Sequence, residues 1–288
     1  MDVLLTGGTG YIGSRVLDQL LAAGHTVTAV VRSDSAAQRV TEAGATPAVG
    51  DLTDHAWFTA QLAGVDAAIH TASPGDASSP DFDTAVVAAV TEAFGGTTKP
   101  YVHTSGLWVY GSGEGLDEDS PLNPPALTAW RPAVEQQVLD ADLVASIVVP
   151  AVVYGYGGGL PNLVVDAPRD GSGRLVLIGD GSQHWGVAHV DDVAALYLAV
   201  LASGETQGRV LAVTDENPTV ADLGEANGSD VVGEPVEKTR ARLGEAFADA
   251  LLLDQQFAVS RKATALGWAP LGPTLLSELG TGSYAQRG

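Results

Sequence analysis

DVLLTGGTGYIG, residues 2 to 13, decides the fold. Asp2 to Thr6 is a short apolar run, a glycine turn follows, and Tyr11 to Ala23 carries apolar residues at helical spacing before stopping at Gly24. Gly7, Gly10 and Gly13 satisfy one phosphate-loop spacing, Gly-x-x-Gly-x-x-Gly, and Gly8, Gly10 and Gly13 satisfy Gly-x-Gly-x-x-Gly. In that setting the glycines permit a tight turn, let backbone approach a diphosphate, and let the helix pack close to the strand. Amides at the helix start, from Thr9 and Gly10 through Tyr11, Ile12 and Gly13, then receive the negative charge. A chain with 35 glycines produces such patterns by chance, but this one stands between a strand and a helix, as its mechanism requires.

Working outward, strands and helices alternate. TVTAVV (26–31) reads as a buried strand, followed by a helix near 34–43, a strand near 45–49, a helix near 54–63 and the apolar segment VDAAIH at 65–70. A Pro/Gly/Ser stretch at 73–80 leads to a helix near 82–94, the strand YVHTS (101–105), a Gly/Asp/Pro-rich loop at 111–125, a helix near 129–140 and the strand LVASIVV (143–149). This rhythm predicts an α/β protein: a Rossmann-type, doubly wound parallel sheet of six strands covered by helices on both faces. Residues 1–150 form its dinucleotide-binding domain. Beyond Pro150 come glycine-rich loops, short strands such as RLVLIG (174–179), and helices near 191–202 and 240–252. Residues 151–288 are therefore expected to be mainly a smaller substrate-binding lobe, with some segments returning to the Rossmann core.

The chain has 288 residues, with 35 Asp and Glu against 14 Lys and Arg, a formal charge of -21. Such a molecule repels phosphate backbones, so a small-molecule substrate is expected rather than nucleic acid. Cysteine is absent, which excludes disulfides, Cys-ligated zinc and thiol nucleophiles; no metal site is expected. No apolar run approaches the roughly 20 residues that span a bilayer, no membrane role is expected, and the protein reads as cytoplasmic.

The second strand ends at Val31, where an acid would meet the ribose hydroxyls of NAD. Arg32-Ser33 stands there instead. A guanidinium beside a hydroxyl suits a ribose 2'-phosphate, so NADP(H) is preferred; Asp34 keeps NAD(H) as the alternative should the strand end later.

These residues resemble the extended branch of the short-chain dehydrogenase/reductase superfamily, the NAD-dependent epimerases, dehydratases and reductases, over nearly the whole chain. Gly50-Asp51-Leu52 looks like the family's adenine-contacting Asp-Leu, and His70-Thr71-Ala72-Ser73 like the segment beside the adenine ribose. YVHTSGLWVYG (101–111), EDSPLNPP (118–125), PAVVYG (150–155), AHVDDVA (188–194) and ALGWAP (265–270) look like the same branch. The resemblance implies that Thr71 to Ser73, Thr104, Arg131, Pro150 and Val153 flank the ribose and nicotinamide. It also implies a Ser or Thr and a Tyr-x-x-x-Lys helix that polarise the substrate oxygen and supply its proton. That set is missing here. Alignment on Val109-Tyr110-Gly111 places Gly106, not Ser105, at the Ser/Thr position, and alignment on Ala133-Val134-Glu135 places Leu127 at the tyrosine and Arg131 at the lysine. Residues 112 to 153 contain no Tyr, Lys or His, so no shift of register restores it.

A positioned general acid contributes about 10²- to 10⁴-fold, so its loss demands a substitute. Ser105, Tyr110, Tyr154, Tyr156 and His184 are the available donors, with Ser105, Tyr154 and the cation Arg131 taken as the catalytic candidates. Arg131 can hold a hydroxyl or an oxyanion but cannot shuttle a proton. Gly106, Leu107, Trp108, Leu127, Tyr154 and Trp185 are the expected substrate contacts, Trp108 and Trp185 being favoured over Trp130. The expected activity is an atypical NADPH-dependent reduction of a small apolar C=O, C=N or C=C compound. The alternatives are a non-redox isomerase, cyclase or dehydratase of a biosynthetic pathway, and a cofactor-sensing regulator. Asp191 reads as a helix cap, and GYGGG (155–159) as a lid or substrate loop. The helices near 82–94 and 129–140 form a candidate homodimer face.

Overall fold

A computed structural model describes residues 1–285. Seven parallel strands form its central sheet: β1 (Asp2–Thr6), β2 (Thr26–Val31), β3 (Thr46–Val49), β4 (Ala67–His70), β5 (Pro100–Thr104), β6 (Val144–Pro150) and β7 (Gly208–Ala212). Their order across the sheet is β7-β6-β5-β4-β1-β2-β3. The order reverses at β1, so β1 and β4 open a crevice at their carboxyl ends, where ligands of doubly wound sheets bind.

Side-chain alternation along β1 builds the layers. Val3 and Leu5 face a core with Val16, Leu17 and Leu20 of α1 (Tyr11–Ala22), while Leu4 faces Phe58 and Leu62 of α3 (His55–Ala63). Helix α2 (Asp34–Ala43) joins the first face; α4 (Ser79–Phe94) and α5 (Arg131–Asp140) join the second. Val3, Leu4 and Leu5 are fully buried, as a two-sided parallel strand requires.

The seventh strand departs from the six expected. Gly208, at φ +67°, and the charged Arg209 open the strand and leave it only a short apolar run from Val210; its pairing with β6 makes it a sheet edge. Helix α6 (Val190–Ser203) also lies with the sheet, contributing Val193, Leu196 and Tyr197 to the first-face core. A third core, including Tyr154, Leu177, Trp185, Leu251 and Tyr284, belongs to the carboxyl-terminal lobe. There Gly244, at φ +86°, divides the expected helix near 240–252 into Val236–Leu243 and Glu245–Leu251, and RLVLIG contributes only the short strand Leu175–Val176. Among the described residues no helix is long and apolar enough to cross a membrane.

Candidate active site

The glycine turn leaves no space for side chains. A Cβ on Gly7, whose φ is +75°, would stand 2.7 Å from the Ala72 amide, and one on Gly13 would stand 2.1 Å from the Gly7 carbonyl oxygen. Gly10 enters α1 in extended conformation and contributes no capping side chain, so none competes for the amides of the first turn. The neighbouring wall is tied down: the Thr71 hydroxyl donates to the Thr6 carbonyl at 2.7 Å, and the Ala72 amide donates to Thr6 Oγ1 at 3.3 Å.

Strand β2 ends at Val31, which makes Arg32 the first residue beyond it, exposed at the sheet's carboxyl edge. Ser33 caps α2, its Oγ accepting from the Ala36 amide at 3.3 Å, and Asp34 begins the helix. Asp51 is exposed and its carboxyl is held below the usual range, chiefly by the Thr53 amide and hydroxyl, with the Arg32 guanidinium assisting. Arg32 and Asp51 thus share one rim, and Leu52 is buried beside it.

Beyond the turn lies a cleft of about 720 Å³, lined by Ile12 of α1, Ser73 to Pro80 in part, Ser105 to Trp108, Ala126 to Leu127, Thr128, Trp130, Arg131, and Pro150 to Val153. Its polar floor is assembled across elements. Ser105 Oγ donates to the buried Glu135, whose other oxygen accepts from Arg209 Nε of β7 at 2.5 Å. The Arg131 guanidinium lies 4.7 Å over the Trp130 ring and donates from Nη1 to the Thr104 carbonyl at 3.4 Å. Burial lowers its pKa from the ordinary arginine value, while Asp83, Glu135 and Tyr197 oppose that. Thr104 Oγ1 donates to the His70 carbonyl at 2.5 Å and meets the Tyr197 hydroxyl at 2.6 Å.

Behind this floor Asp83 stands 3.3 Å from His70 Nε2 and 3.9 Å from His103 Nε2. His70 Nδ1 reaches Thr6 Oγ1 at 2.7 Å, and His103 Nδ1 reaches the Tyr101 hydroxyl at 2.8 Å. Burial first, and then His70, pushes the His103 pKa down to about 3.

Ile12, Ser73, Ser105, Gly106, Leu107, Trp108, Leu127, Arg131, Pro150 and Val153, all named from sequence, come together in this cleft. Two do not. Tyr154 follows Val153 on the strand Val152–Gly155 and points the opposite way: its hydroxyl donates to the Pro273 carbonyl at 2.7 Å and its ring packs edge-on against His189. Trp185 is buried in the lobe core, with its indole N–H donating to the Leu251 carbonyl at 3.0 Å. Neither lines the cleft, whereas Trp130, over which Trp185 was favoured, does. Tyr11 is turned from the turn toward the 155–159 loop, its hydroxyl donating to the Gly155 carbonyl at 2.8 Å.

The remaining candidate donors also lie elsewhere. Tyr110 is buried against Phe257, the Tyr156 hydroxyl donates to Asp191 at 2.6 Å, and His184 pairs with Asp254 at 2.9 Å. Asp191 is not the cap of α6. His189 Nδ1 accepts the Asp191 amide, and the Asp191 carboxylate joins α6 to α1 through Arg15 at 2.6 Å. Sequence reasoning missed Glu135 as a neighbour of the cleft and set Trp130 below Trp185. Glu135 lies one helical turn after Arg131, which was the available signal.

The family model described as NAD dependent epimerase/dehydratase family matches residues 3–213, and the chain belongs to that family. Its likeness to the extended short-chain dehydrogenases/reductases therefore holds. An uncharacterized protein of Schizosaccharomyces pombe is 30% identical over 99% of this chain and 100% of its own length. The 4-hydroxy-2-methyl-3-oxo-4-farnesyl-3,4-dihydroquinoline-1-oxide ketoreductase of Stigmatella aurantiaca is 32% identical over 76% of this chain and 69% of its own. Among solved structures, a human epimerase family protein with NADPH has a TM-score of 0.75 at 22% identity, covering 98% of this chain and 99% of that one. Other chains of the same fold hold NAD.

Proposed function

We propose that this protein is a nicotinamide-dinucleotide reductase that prefers NADPH and reduces a small, largely apolar C=O, C=N or C=C compound. Family membership and the ketoreductase relative support the class. The glycine turn fits a diphosphate, because Gly7 and Gly13 have no room for a Cβ against the neighbouring backbone, so the loop closes tightly and leaves the first amides of α1 without a side-chain cap. In this reading Gly7 to Gly13 hold the diphosphate, Arg32 and Ser33 the 2'-phosphate, and Asp51 and Leu52 the adenine. Thr71 to Ser73, Thr104, Pro150 and Val153 hold the ribose and nicotinamide, and the bound dinucleotide supplies a hydride.

The composition of the cleft carries the proposal. Among the described residues that line it there is no Tyr, His or Lys; Asp76 and Arg131 are its ionisable side chains, and Leu107, Trp108, Leu127, Trp130 and Leu160 make it apolar. Such a wall desolvates the substrate and strengthens any hydrogen bond made to it. Without a phenol donor, and with the one Ser105 proton already donated to Glu135, the substrate must need little acid assistance, as a protonated imine or conjugated enone does. Asp76 is committed to a turn, accepting from the Ser78 amide at 2.8 Å and the Ser78 hydroxyl at 2.6 Å.

The absence of an acid equally favours a second reading, in which the cofactor is held for isomerisation, cyclisation or elimination without net redox change. Purified protein mixed with NADPH and a panel of apolar ketones, imines and enones separates the two. Steady loss of the reduced-nicotinamide absorbance is expected for the reductase. Bound but unconsumed NADPH across the panel, with product formed, would replace it by the second reading.

A further inference from the structure

We propose that Arg131 is the recognition group for an organic anion, so that the cleft takes an apolar carboxylate. This deepens the reductase reading by naming the substrate class of the same cleft, but it stands on separate observations. The first is that Arg131 lacks the partner its peers have. Arg15 clasps Asp191 at 2.6 Å, Arg209 clasps Glu135 at 2.5 Å, and Arg242 clasps Glu234 at 2.6 Å. Arg131, largely removed from water, makes one long hydrogen bond, 3.4 Å to the Thr104 carbonyl, and rests on Trp130. A guanidinium carries five N–H donors in a planar fork suited to a carboxylate.

The carboxylates whose fields reach it are already held. Glu135 is taken by Ser105 and Arg209, and Asp83 faces His70 and His103. They balance the charge of Arg131 at a distance without filling its donors, which remain available where the residue lines the cleft.

The second observation is the setting. Arg131 opens α5, a helix of 10 residues whose start has neither a capping side chain nor an acidic residue in its first turn, so the helix adds positive potential at the same point. Most of the remaining wall is apolar, with Leu107, Trp108, Leu127, Val152 and Leu160 lining it, and the Asp76 carboxylate is held by the Ser78 amide and hydroxyl. With a formal charge of -21 the protein as a whole repels anions, so an anionic ligand must be held by such a local group. An aliphatic or aromatic body on the apolar wall with its carboxylate on the Arg131 fork satisfies both parts of the cleft.

The test reads binding and needs no turnover. Calorimetry with NADPH present compares 3-phenylpropionate with its neutral isostere 3-phenylpropionamide. The acid is expected to bind at least about tenfold more tightly than the amide. Arg131→Gln should abolish that preference, and Arg131→Lys, which keeps the charge without the planar fork, should retain part of it. Thermal melting of both variants guards against loss of fold, and the lysine variant alone suffices if the glutamine variant does not fold. Equal affinity for acid and amide, no binding of either, or a preference that survives Arg131→Gln would overturn the proposal. So would an Arg131→Gln effect confined to NADPH affinity, since that would place the guanidinium on the cofactor ribose. Wild-type protein that prefers the acid yet never consumes NADPH would discard the reductase reading and leave this one standing.

Discussion

The nucleotide end and the substrate end of this molecule are built differently. Residues 6–13 contain the whole glycine turn, and its tolerances are set by backbone against backbone, as the 2.1 Å separation between a Gly13 Cβ and the Gly7 oxygen shows. The floor of the cleft instead draws Ser105 from the end of β5, Arg131 and Glu135 from α5, and Arg209 from the sheet edge. A local site fails by losing its fit to a ligand; a site pooled from distant elements fails by losing the fold as well.

The largest effect that would test this difference is at Glu135. Truncation to Ala leaves Arg209 without its carboxylate and Ser105 without its acceptor. Breaking a buried pair from one side destabilises by about 3–5 kcal/mol, and urea unfolding should show a loss near the lower bound because Arg209 is partly exposed. The double variant Glu135→Leu with Arg209→Met should recover most of it. A loss under about 1 kcal/mol would mean that the floor is not held together by this pair. Next in size is Gly13→Ala, where the added methyl forces the turn open. We expect about 2–3 kcal/mol, read as weaker NADPH binding by calorimetry more than as lower melting temperature. Unchanged affinity would show that the turn does not grip the diphosphate.

How much of each end was legible follows from the same contrast. The β1–α1 turn and the end of β2 at Val31 could be read because each depends on neighbours in sequence, and the replacement of the family's Tyr and Lys by Leu127 and Arg131 because the resemblance supplied the alignment. Tyr154 and Trp185 could not be assigned, because segment position does not say which way a side chain points. The alternation of Val153 and Tyr154 hinted at it, but only the packing of the lobe places Pro273 opposite the Tyr154 hydroxyl. Trp130 was passed over although it adjoins Arg131, the arginine that stacks on it. The Ser105–Glu135–Arg209 chain joins residues 30 and 74 positions apart, and β7, which supplies its last member, carries only the short apolar run Val210 to Ala212.

Acid should expose the pooled end before the local one. His103 is neutral in the folded protein, its pKa pushed down to about 3 by burial, whereas in the unfolded chain it titrates near 6.5. Below that value the unfolded state binds the extra proton, so the stabilisation is complete above about pH 6.5 and is lost as pH falls toward about 3. At pH 5 this site alone removes about 2 kcal/mol. Denaturation at pH 7 and pH 5 should show the drop in wild type and a shallower one in His103→Gln. Identical slopes would mean that this imidazole is not held neutral between Asp83 and Tyr101.

The smallest effect concerns the nucleotide rim and is the most specific. Arg32 follows directly on β2, is exposed, and shares its edge with Asp51. A charge-assisted contact to a 2'-phosphate at an exposed site contributes about 1–2 kcal/mol, and salt screens it. Arg32→Ala should therefore weaken NADPH binding by about tenfold while leaving NADH binding nearly unchanged, and added salt should narrow the difference in wild type. Ser33 caps α2 by accepting the Ala36 amide and keeps its own proton, so Ser33→Ala should lower stability by about 1 kcal/mol and weaken NADPH binding less than Arg32→Ala does. Equal binding of NADPH and NADH by wild type, or an Arg32→Ala penalty shared by both, would assign Arg32 to the solvated surface and return the choice of cofactor to Asp34.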